Sequence, residues 1–278
     1  MQNHPLLEGL EASVRAALME DIGSGDITAE LIPADTTARA QVICREAAVV
    51  CGQPWVQEVF RQIDSATRLD WHRRDGAAIE ANELVFTVSG KARSLLTAER
   101  TALNFLQTLS AVATRAREYA GLIQHTRARI LDTRKTLPGL RRAQKYAVLQ
   151  GGCLNHRLGL YDAFLIKENH IRACGGIAAA ISAARSLHPD RPVEVEVENL
   201  EQLEEALTNG TDTVMLDNFS LEELHKALAL NAGRAQLEAS GGYDRHSIVA
   251  VAEAGVDFIS VGALTKHCRA IDFSMLFI

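Results

Sequence analysis

The chain is poor in the features that mark specialised protein classes. Of 278 residues only five are cysteine: Cys44, Cys51, Cys153, Cys174 and Cys268. An odd number without a CxxC pair gives neither a disulfide framework nor a zinc site, so buried reduced thiols are expected. Six scattered prolines mark no long linker, and no low-complexity tract or sequence repeat occurs. No apolar run approaches the ~18 residues of a membrane span. The opening stretch MQNHPLLEGLEASVRAALMED is amphipathic and mixed in charge, without a cationic start or cleavage site, so no secretion signal is expected. A cationic excess is missing as well. Lys+Arg 29 against Asp+Glu 35 leaves -6, which speaks against a general nucleic-acid binder. What is present is 47% hydrophobic residues, enough for a large core and too many for a disordered chain. The length suggests about two domains, or one barrel with an appendage.

The first third reads as α+β. A helix is predicted over roughly 6–20, followed by the turn cluster Asp21-Ile22-Gly23-Ser24-Gly25-Asp26. Residues 38–51 read as a hairpin or a long bent strand. Further strands are expected at Leu69–Arg73 and Leu84–Ser89, with Asp75-Gly76 as a turn between them. Apolar spacing through Leu95, Leu96, Ala102, Leu103, Leu106, Leu109 and Ala113 predicts a long helix from about Ser94 to Gln124. Beyond about residue 128 the rhythm changes. Short apolar runs ending near 133, 167, 198, 217, 240 and 261 alternate with helical patterns. These are βα-unit spacings, so a parallel sheet with right-handed crossovers is expected. Six units point to a closed or nearly closed barrel somewhat short of the usual eight, with a doubly wound sheet as the competing geometry.

Strict alternation in Val193-Glu194-Val195-Glu196-Val197-Glu198 puts three valines on one side and three glutamates on the other. Helices covering a barrel need the valine side, so the glutamates point into the lumen; an edge strand with one solvated face is the alternative. Asp132, Arg134, Lys135, Lys167, Asp217, Glu238 and Ser240 also fall at or near predicted strand ends. A lumen of carboxylates is costly unless it faces cations, metal or ligand, and barrel active sites gather at the C-terminal ends of strands.

Positive charge is concentrated in one segment. Residues 127–172 hold Arg127, Arg129, Arg134, Lys135, Arg141, Arg142, Lys145, Arg157, Lys167 and Arg172 against Asp132, Asp162 and Glu168. A solvated helix face accounts in part for Arg141, Arg142 and Lys145. Arg134-Lys135, Arg157 and Lys167 sit instead at strand ends or in βα loops, where they suit a small molecule with several negative charges. Two glycine loops, Ser240-Gly241-Gly242 and Val261-Gly262-Ala263, follow the last two strands. They are placed for phosphate binding by free N–H groups beside a helix N-terminus, the helix after Gly242 being expected near His246.

Four segments stand out: Thr133-Arg134-Lys135-Thr136-Leu137-Pro138-Gly139-Leu140-Arg141, Gly151-Gly152, His156-Arg157-Leu158-Gly159-Leu160 and Lys167-Glu168-Asn169-His170. They carry a resemblance to the quinolinate phosphoribosyltransferase family, also called nicotinate-nucleotide pyrophosphorylase (carboxylating). It continues through Glu20-Asp21, Gly25-Asp26-Ile27-Thr28, Ala98–Asn104, Glu194–Asn199, Met215-Leu216-Asp217-Asn218, Glu238-Ala239-Ser240-Gly241-Gly242 and Val261-Gly262. Gly242 departs from the asparagine found in many members, which should alter only loop detail.

The resemblance implies an N-terminal α/β sandwich, residues 1–107, completed by the tail 266–278. With it goes an incomplete (open) parallel α/β barrel of about six to seven strands over 108–265. The implied reaction joins quinolinate to phosphoribosyl pyrophosphate with Mg²⁺, giving nicotinate mononucleotide, pyrophosphate and CO₂ in NAD synthesis, with no organic cofactor. By the same resemblance Arg134, His156, Arg157 and Lys167 surround the quinolinate carboxylates, with Lys135 nearby or on the pyrophosphate and Thr133 a further substrate-binding candidate. His170 belongs at or just behind the site, and a structural role for it is equally open. Glu196 and Asp217 hold the ribose hydroxyls, directly or through Mg²⁺, and with Lys135 are the catalytic candidates. Ser240, Gly241 and Gly262 take the 5′-phosphate, with Gly242, Ser260 and Val261 completing those loops. A cytoplasmic homodimer is implied, Arg100 reaching the neighbouring site; read alone, Arg100 is an exposed helix arginine paired with Glu99. No nucleic-acid or membrane partner is expected.

Three alternatives stand beside this reading. A paralogous barrel encoded with molybdate transport shares the TRKT-like segment, but the intact Lys167-Glu168-Asn169-His170 argues against it. A Schiff-base aldolase could use Lys135 or Lys167 at a strand end, though the arginines around them disfavour that chemistry. A non-catalytic metabolite-binding barrel would bind both substrates and release no pyrophosphate.

Overall fold

A computed structural model describes residues 4–278, so the first three residues of the expected N-terminal domain lie outside the described residues. The chain divides into two compact units. The first takes the chain up to Arg117 together with Thr136–Gly152 and Leu264–Ile278; the second takes Glu118–Lys135 and Cys153–Ala263. Residues 136–152, which the sequence reading places inside the barrel domain, therefore pack with the first unit.

In the first unit a 3-10 turn at Pro5–Leu7 precedes helix α1 (Leu10–Ile22). The run over 38–51 is neither a hairpin nor one bent strand. Strand β1 (Thr37–Cys44) and strand β2 (Ala48–Val49) join different sheets. After helix α2 (Gln53–Ile63) come β3 (Arg68–Trp71), β4 (Ala78–Ile79), β5 (Leu84–Lys91) and the long helix α3 (Ala92–Leu122). Helix α4 (Arg141–Gln150) also belongs to this unit. β1 lies between β5 and the C-terminal strand Phe273–Phe277, antiparallel to both, while β2 pairs with β4.

Local chemistry explains these elements. The apolar stripe of α3 buries Leu95, Ala102, Leu103, Leu106, Leu109 and Ala113, with Leu96 half-buried. Asp75, read from sequence as a turn residue, caps α2 from a distance. Its Oδ1 accepts the N–H groups of Gly52 and Gln53, each at 3.0 Å, and its Oδ2 accepts the Tyr146 hydroxyl of α4 at 2.8 Å. Two orphan donors of a helix start are thereby satisfied by a remote carboxylate.

The second unit carries six parallel strands: β6 (Arg129–Leu131), β7 (Phe164–Ile166), β8 (Val193–Val197), β9 (Thr213–Asp217), β10 (Gln236–Ser240) and β11 (Phe258–Ser260). Their order is β6-β11-β10-β9-β8-β7, an open parallel barrel rather than a doubly wound sheet. Leu154 adds a parallel bridge to Leu131, extending the β6 edge by a fragment of a further strand. Helices α5 (Glu168–Cys174), α6 (Ile177–Leu187), α7 (Leu200–Thr208), α8 (Leu221–Asn231) and α9 (Ile248–Ala254) connect the strands. α8 starts on a capping box, Glu223 N–H donating to the Ser220 hydroxyl and Ser220 N–H to the Glu223 carboxylate.

Alternation divides the strands into two faces. Val193, Val195, Val197, Val214, Leu216, Leu237, Ala239 and Ile259 are all fully buried on the helix side. The opposite parity brings Glu194, Glu196, Met215, Asp217, Glu238, Ser240 and Ser260 to the other face. The expected buried thiols hold for Cys44, Cys51 and Cys153, whereas Cys174 and Cys268 are exposed. Among the described residues no helix is long and apolar enough to cross a membrane.

At Gly151, just past α4, an added Cβ would stand 2.4 Å from Ala116 Cβ and 2.5 Å from the Ala113 carbonyl oxygen of α3. Gly151→Ala is therefore expected to destabilise the protein by about 3 kcal/mol or more, the upper end for overpacking against backbone. An unchanged urea midpoint would contradict this helix contact.

Candidate active site

All but one of the expected site residues lie in the second unit, at the C-terminal ends of its strands; Arg100 is exposed on α3 in the first unit. The positive segment divides accordingly. Arg141, Arg142 and Lys145 belong to α4, Arg142 pairing with Glu8 at 2.8 Å, while Lys145 is fully buried and not on the solvated face that the sequence suggests. Arg127 donates to the Gly255 carbonyl and Arg172 pairs with Glu168. Arg134, Lys135, Arg157 and Lys167 remain at the strand ends.

After β6, Asp132 is fully buried. Its Oδ1 accepts His156 N–H at 2.9 Å, and its Oδ2 accepts the Asn155 amide at 2.8 Å. One buried carboxylate thus docks the start of the His156-Arg157 loop. Asp162 holds the other side of the turn, accepting Leu158 N–H at 2.5 Å and Gly159 N–H at 2.9 Å. Between these anchors Arg157 Nη1 donates to the Ala163 carbonyl at 3.3 Å. The buried Nε–H groups of both Arg134 and Arg157 have no hydrogen-bond partner among the described residues. Burial, then the charge of Arg134, lowers the Arg157 pKa, while Glu194 and Asp162 oppose the shift. Two neighbouring half-buried guanidiniums with unfilled donors suit an anion with more than one acceptor.

Thr133 Oγ1 accepts Lys135 N–H at 3.1 Å, and Lys135 is exposed, its stem lying over Gly262. A Cβ on Gly262 would be 3.1 Å from Lys135 Cδ. After β7, the Lys167 ammonium is ion-paired with Glu196 of β8. His170 is exposed, and its Nδ1 accepts Lys167 N–H at 3.1 Å, which caps α5. At the end of β9, Asp217 Oδ2 accepts the Asn218 amide at 2.8 Å. Asn218 has φ 58°, and its N–H donates to the Ser240 carbonyl at 2.8 Å. A Cβ on Gly241 would stand 3.2 Å from Asn218 Oδ1, so glycine there permits close approach of the two loops. The exposed Gly242 does not lead straight into a helix, because α9 begins only at Ile248, later than the sequence reading places it. Val261 is buried, its N–H donating to the Leu131 carbonyl at 2.9 Å, and Gly262 directly precedes the short helix Ala263–Lys266.

Beneath these loops lies a cluster of His156, Glu194 and Glu238 whose ligand-type atoms all fall within 4.8 Å of one another. His156 Nε2 is 2.9 Å from Glu194 Oε2 and 3.5 Å from Glu238 Oε2. Its Nδ1 accepts Arg157 N–H at 2.8 Å. That bond leaves the ring hydrogen on Nε2, which makes the imidazole a donor to the carboxylates rather than a metal ligand. Ser260 donates to Glu238. Burial, reinforced by Glu194, raises the Glu238 pKa well above the usual carboxylate value.

Sequence reasoning leaves out of the site the anchoring side chains Asn155, Asp162, Asn218 and Tyr243. The Tyr243 hydroxyl is buried without a partner among the described residues, and burial and Asp217 push its pKa up. The available signal was adjacency to an ionisable candidate residue, Asn155 standing next to His156 and Asn218 next to Asp217. Asp162 and Tyr243 offered none.

A raised carboxyl pKa in the folded state has a sign that can be tested. Such a group contributes stability at pH below its unfolded value, and that contribution is lost as pH rises through the folded value. Glu238→Gln mimics the protonated form, so its stability relative to the parent should improve as pH climbs above the ordinary glutamate range. Urea unfolding at pH 5, 6.5 and 8 checks this; a difference independent of pH would contradict the assignment.

Comparison with known proteins identifies the family. The model of the quinolinate phosphoribosyl transferase C-terminal domain matches residues 112–276, and that of the N-terminal domain matches 26–110. Nicotinate-nucleotide pyrophosphorylase [carboxylating] from Mycobacterium leprae is 40% identical over 273 residues, 95% of either chain. The chloroplastic protein of the same name from Arabidopsis thaliana is 37% identical, over 98% of this chain and 84% of that one. The solved nicotinate-nucleotide pyrophosphorylase from Francisella tularensis superposes with a TM-score of 0.95 at 49% identity, covering 98% of this chain and 96% of that one. With both domain models matched in order along one chain, and its barrel ending in this cationic rim, the protein belongs to the quinolinate phosphoribosyl transferase family.

Proposed function

We propose that this protein transfers a phosphoribosyl group from phosphoribosyl pyrophosphate to quinolinate and releases CO₂, forming nicotinate mononucleotide for NAD synthesis. The observation that supports it best is the Arg134–Arg157 pair, whose buried Nε–H groups lack acceptors among the described residues. Two adjacent carboxylates on a pyridine ring supply the acceptors such a pair needs, and bidentate guanidinium contacts fix the ring's orientation. Lys167 adds a third positive charge, and Lys135 lies beside Gly262, where a pyrophosphate or sugar phosphate fits.

Glu196 and Asp217 end neighbouring strands and bring carboxylate oxygens, the donor type Mg²⁺ prefers. Two protein carboxylates, the rest of the shell being water and substrate phosphate, is an ordinary arrangement for that ion. The residues fit, and Mg²⁺ bound there would offset the charge of the departing pyrophosphate. The same two carboxylates face positive charge developing at the anomeric carbon as the pyridine nitrogen attacks. Once the ring nitrogen is quaternary its positive charge stabilises the electron pair left on the adjacent carbon as the carboxylate leaves as CO₂, and that carbon then takes a proton from solvent. Catalysis then consists of positioning and electrostatics, without a protein nucleophile. The ion pair at Lys167 is the opposite of the desolvated free amine a Schiff-base enzyme needs.

We further infer a cytoplasmic homodimer in which Arg100 of one subunit serves the site of the other. The exposure of Arg100 on α3 is consistent with that role.

Purified protein given quinolinate, phosphoribosyl pyrophosphate and Mg²⁺ should produce nicotinate mononucleotide and pyrophosphate in equal amounts. Nicotinate run in parallel should be a far poorer substrate. Tight binding of both substrates without pyrophosphate release would establish the non-catalytic alternative. Arg134→Ala and Lys135→Ala should each lower turnover by about two orders of magnitude or more with unchanged circular dichroism. Near-normal activity in both variants would remove these residues from the site.

A further inference from the structure

Glu194 and Glu238 stand outside the chemistry described above, yet they are among the most expensive groups in the second unit to bury. Glu238 is 1% exposed and Glu194 8%. One oxygen of each, Oε1, is buried without a hydrogen-bond partner among the described residues. Apolar residues of similar size would fill this floor at lower cost, since paired buried charges rarely repay their desolvation. Their geometry shows what they hold. Both Oε2 atoms face the same nitrogen, His156 Nε2, from separate strands β8 and β10. The other ring nitrogen accepts the backbone N–H of Arg157. The ring is therefore fixed at both nitrogens, and it links the carboxylate pair to the backbone of the arginine whose guanidinium awaits an anion. Asp132 fixes the backbone of His156 itself.

We propose that Glu238, together with Glu194, is a positioning residue for quinolinate: by clamping the His156 imidazole from the barrel floor it sets the placement of His156 and Arg157 against the substrate's carboxylates. This deepens the reading given under Proposed function and rests on it. Glu238 sits two residues before Ser240 on the inner face of β10 and acts through His156. A metal is the other occupant such a cluster could take. The Arg157 N–H bond to Nδ1 argues against it, because Nε2 then presents a hydrogen and no lone pair.

The test compares full-length parent, Glu238→Gln and Glu238→Leu in steady-state kinetics, varying each substrate separately, with melting temperatures measured alongside. Gln keeps the shape and one acceptor oxygen; Leu keeps only the bulk. The KM for quinolinate should rise about tenfold in Glu238→Leu, less in Glu238→Gln, while the KM for phosphoribosyl pyrophosphate stays within twofold. A purely structural role would move both constants together or lower only the melting temperature. Either of those results overturns the proposal, as does an unchanged quinolinate KM in a folded Glu238→Leu. If Glu238→Leu fails to fold, Glu194→Gln under the same measurements decides by the same criterion. A parent protein without turnover takes down the functional reading itself, and this inference with it; an active parent with an indifferent Glu238 takes down the inference alone.

Discussion

The site depends on acidic groups set beneath basic ones: buried and half-buried carboxyls below, guanidinium and ammonium groups above. Asp132, Asp162 and Glu194 hold the loop that carries His156 and Arg157, and Glu238 lies 3.5 Å from the His156 ring. Glu196 holds Lys167. Without those acceptors a set of cations gathered in one rim would repel itself and splay outward. With them, the rim is held ready for an anion and little rearrangement remains to be made on binding. The unfilled Nε–H groups of Arg134 and Arg157 mark where that readiness is directed.

The barrel supplies this pairing through the two-residue period of its strands. Valine, leucine and isoleucine face the helices, which lets the other parity carry glutamate, aspartate and serine. Along β8 burial falls from Glu194 through the half-buried Glu196 to the exposed Glu198, so one strand supplies a floor residue, a wall residue and a solvent residue. The functional gradient is a consequence of strand geometry and needs no special loop. The loops after β9 and β10 add close backbone approach, through Asn218 in a left-handed conformation beside Gly241.

Much of this was legible in the sequence because it follows from periodicity. The six βα spacings, the long α3 and the valine-glutamate alternation are local patterns, and the structure reproduces them. What escaped was whatever depends on chain return. A charge count along residues 127–172 could not register that α4 leaves the barrel unit and takes Arg141, Arg142 and Lys145 with it. Asp75 is the turn residue that the sequence suggests, but its second role in capping a helix is played across more than twenty positions. Asp162 and Asn155 were overlooked beside louder basic neighbours, although they fix those neighbours in place. The helix after Gly242 starts late because Asp244 and Ser247 form their own hydrogen-bonded turn first.

If carboxylates on the floor preorganise cations on the rim, the two layers must be energetically coupled in ligand binding. A double-mutant cycle on quinolinate affinity, using Glu194→Gln, Arg157→Lys and the pair of them, measures that coupling by calorimetry. The account predicts that the two losses do not add, with a coupling of about 1 kcal/mol or more. Strict additivity within about 0.3 kcal/mol would contradict it, leaving the floor and the rim as independent features of one barrel.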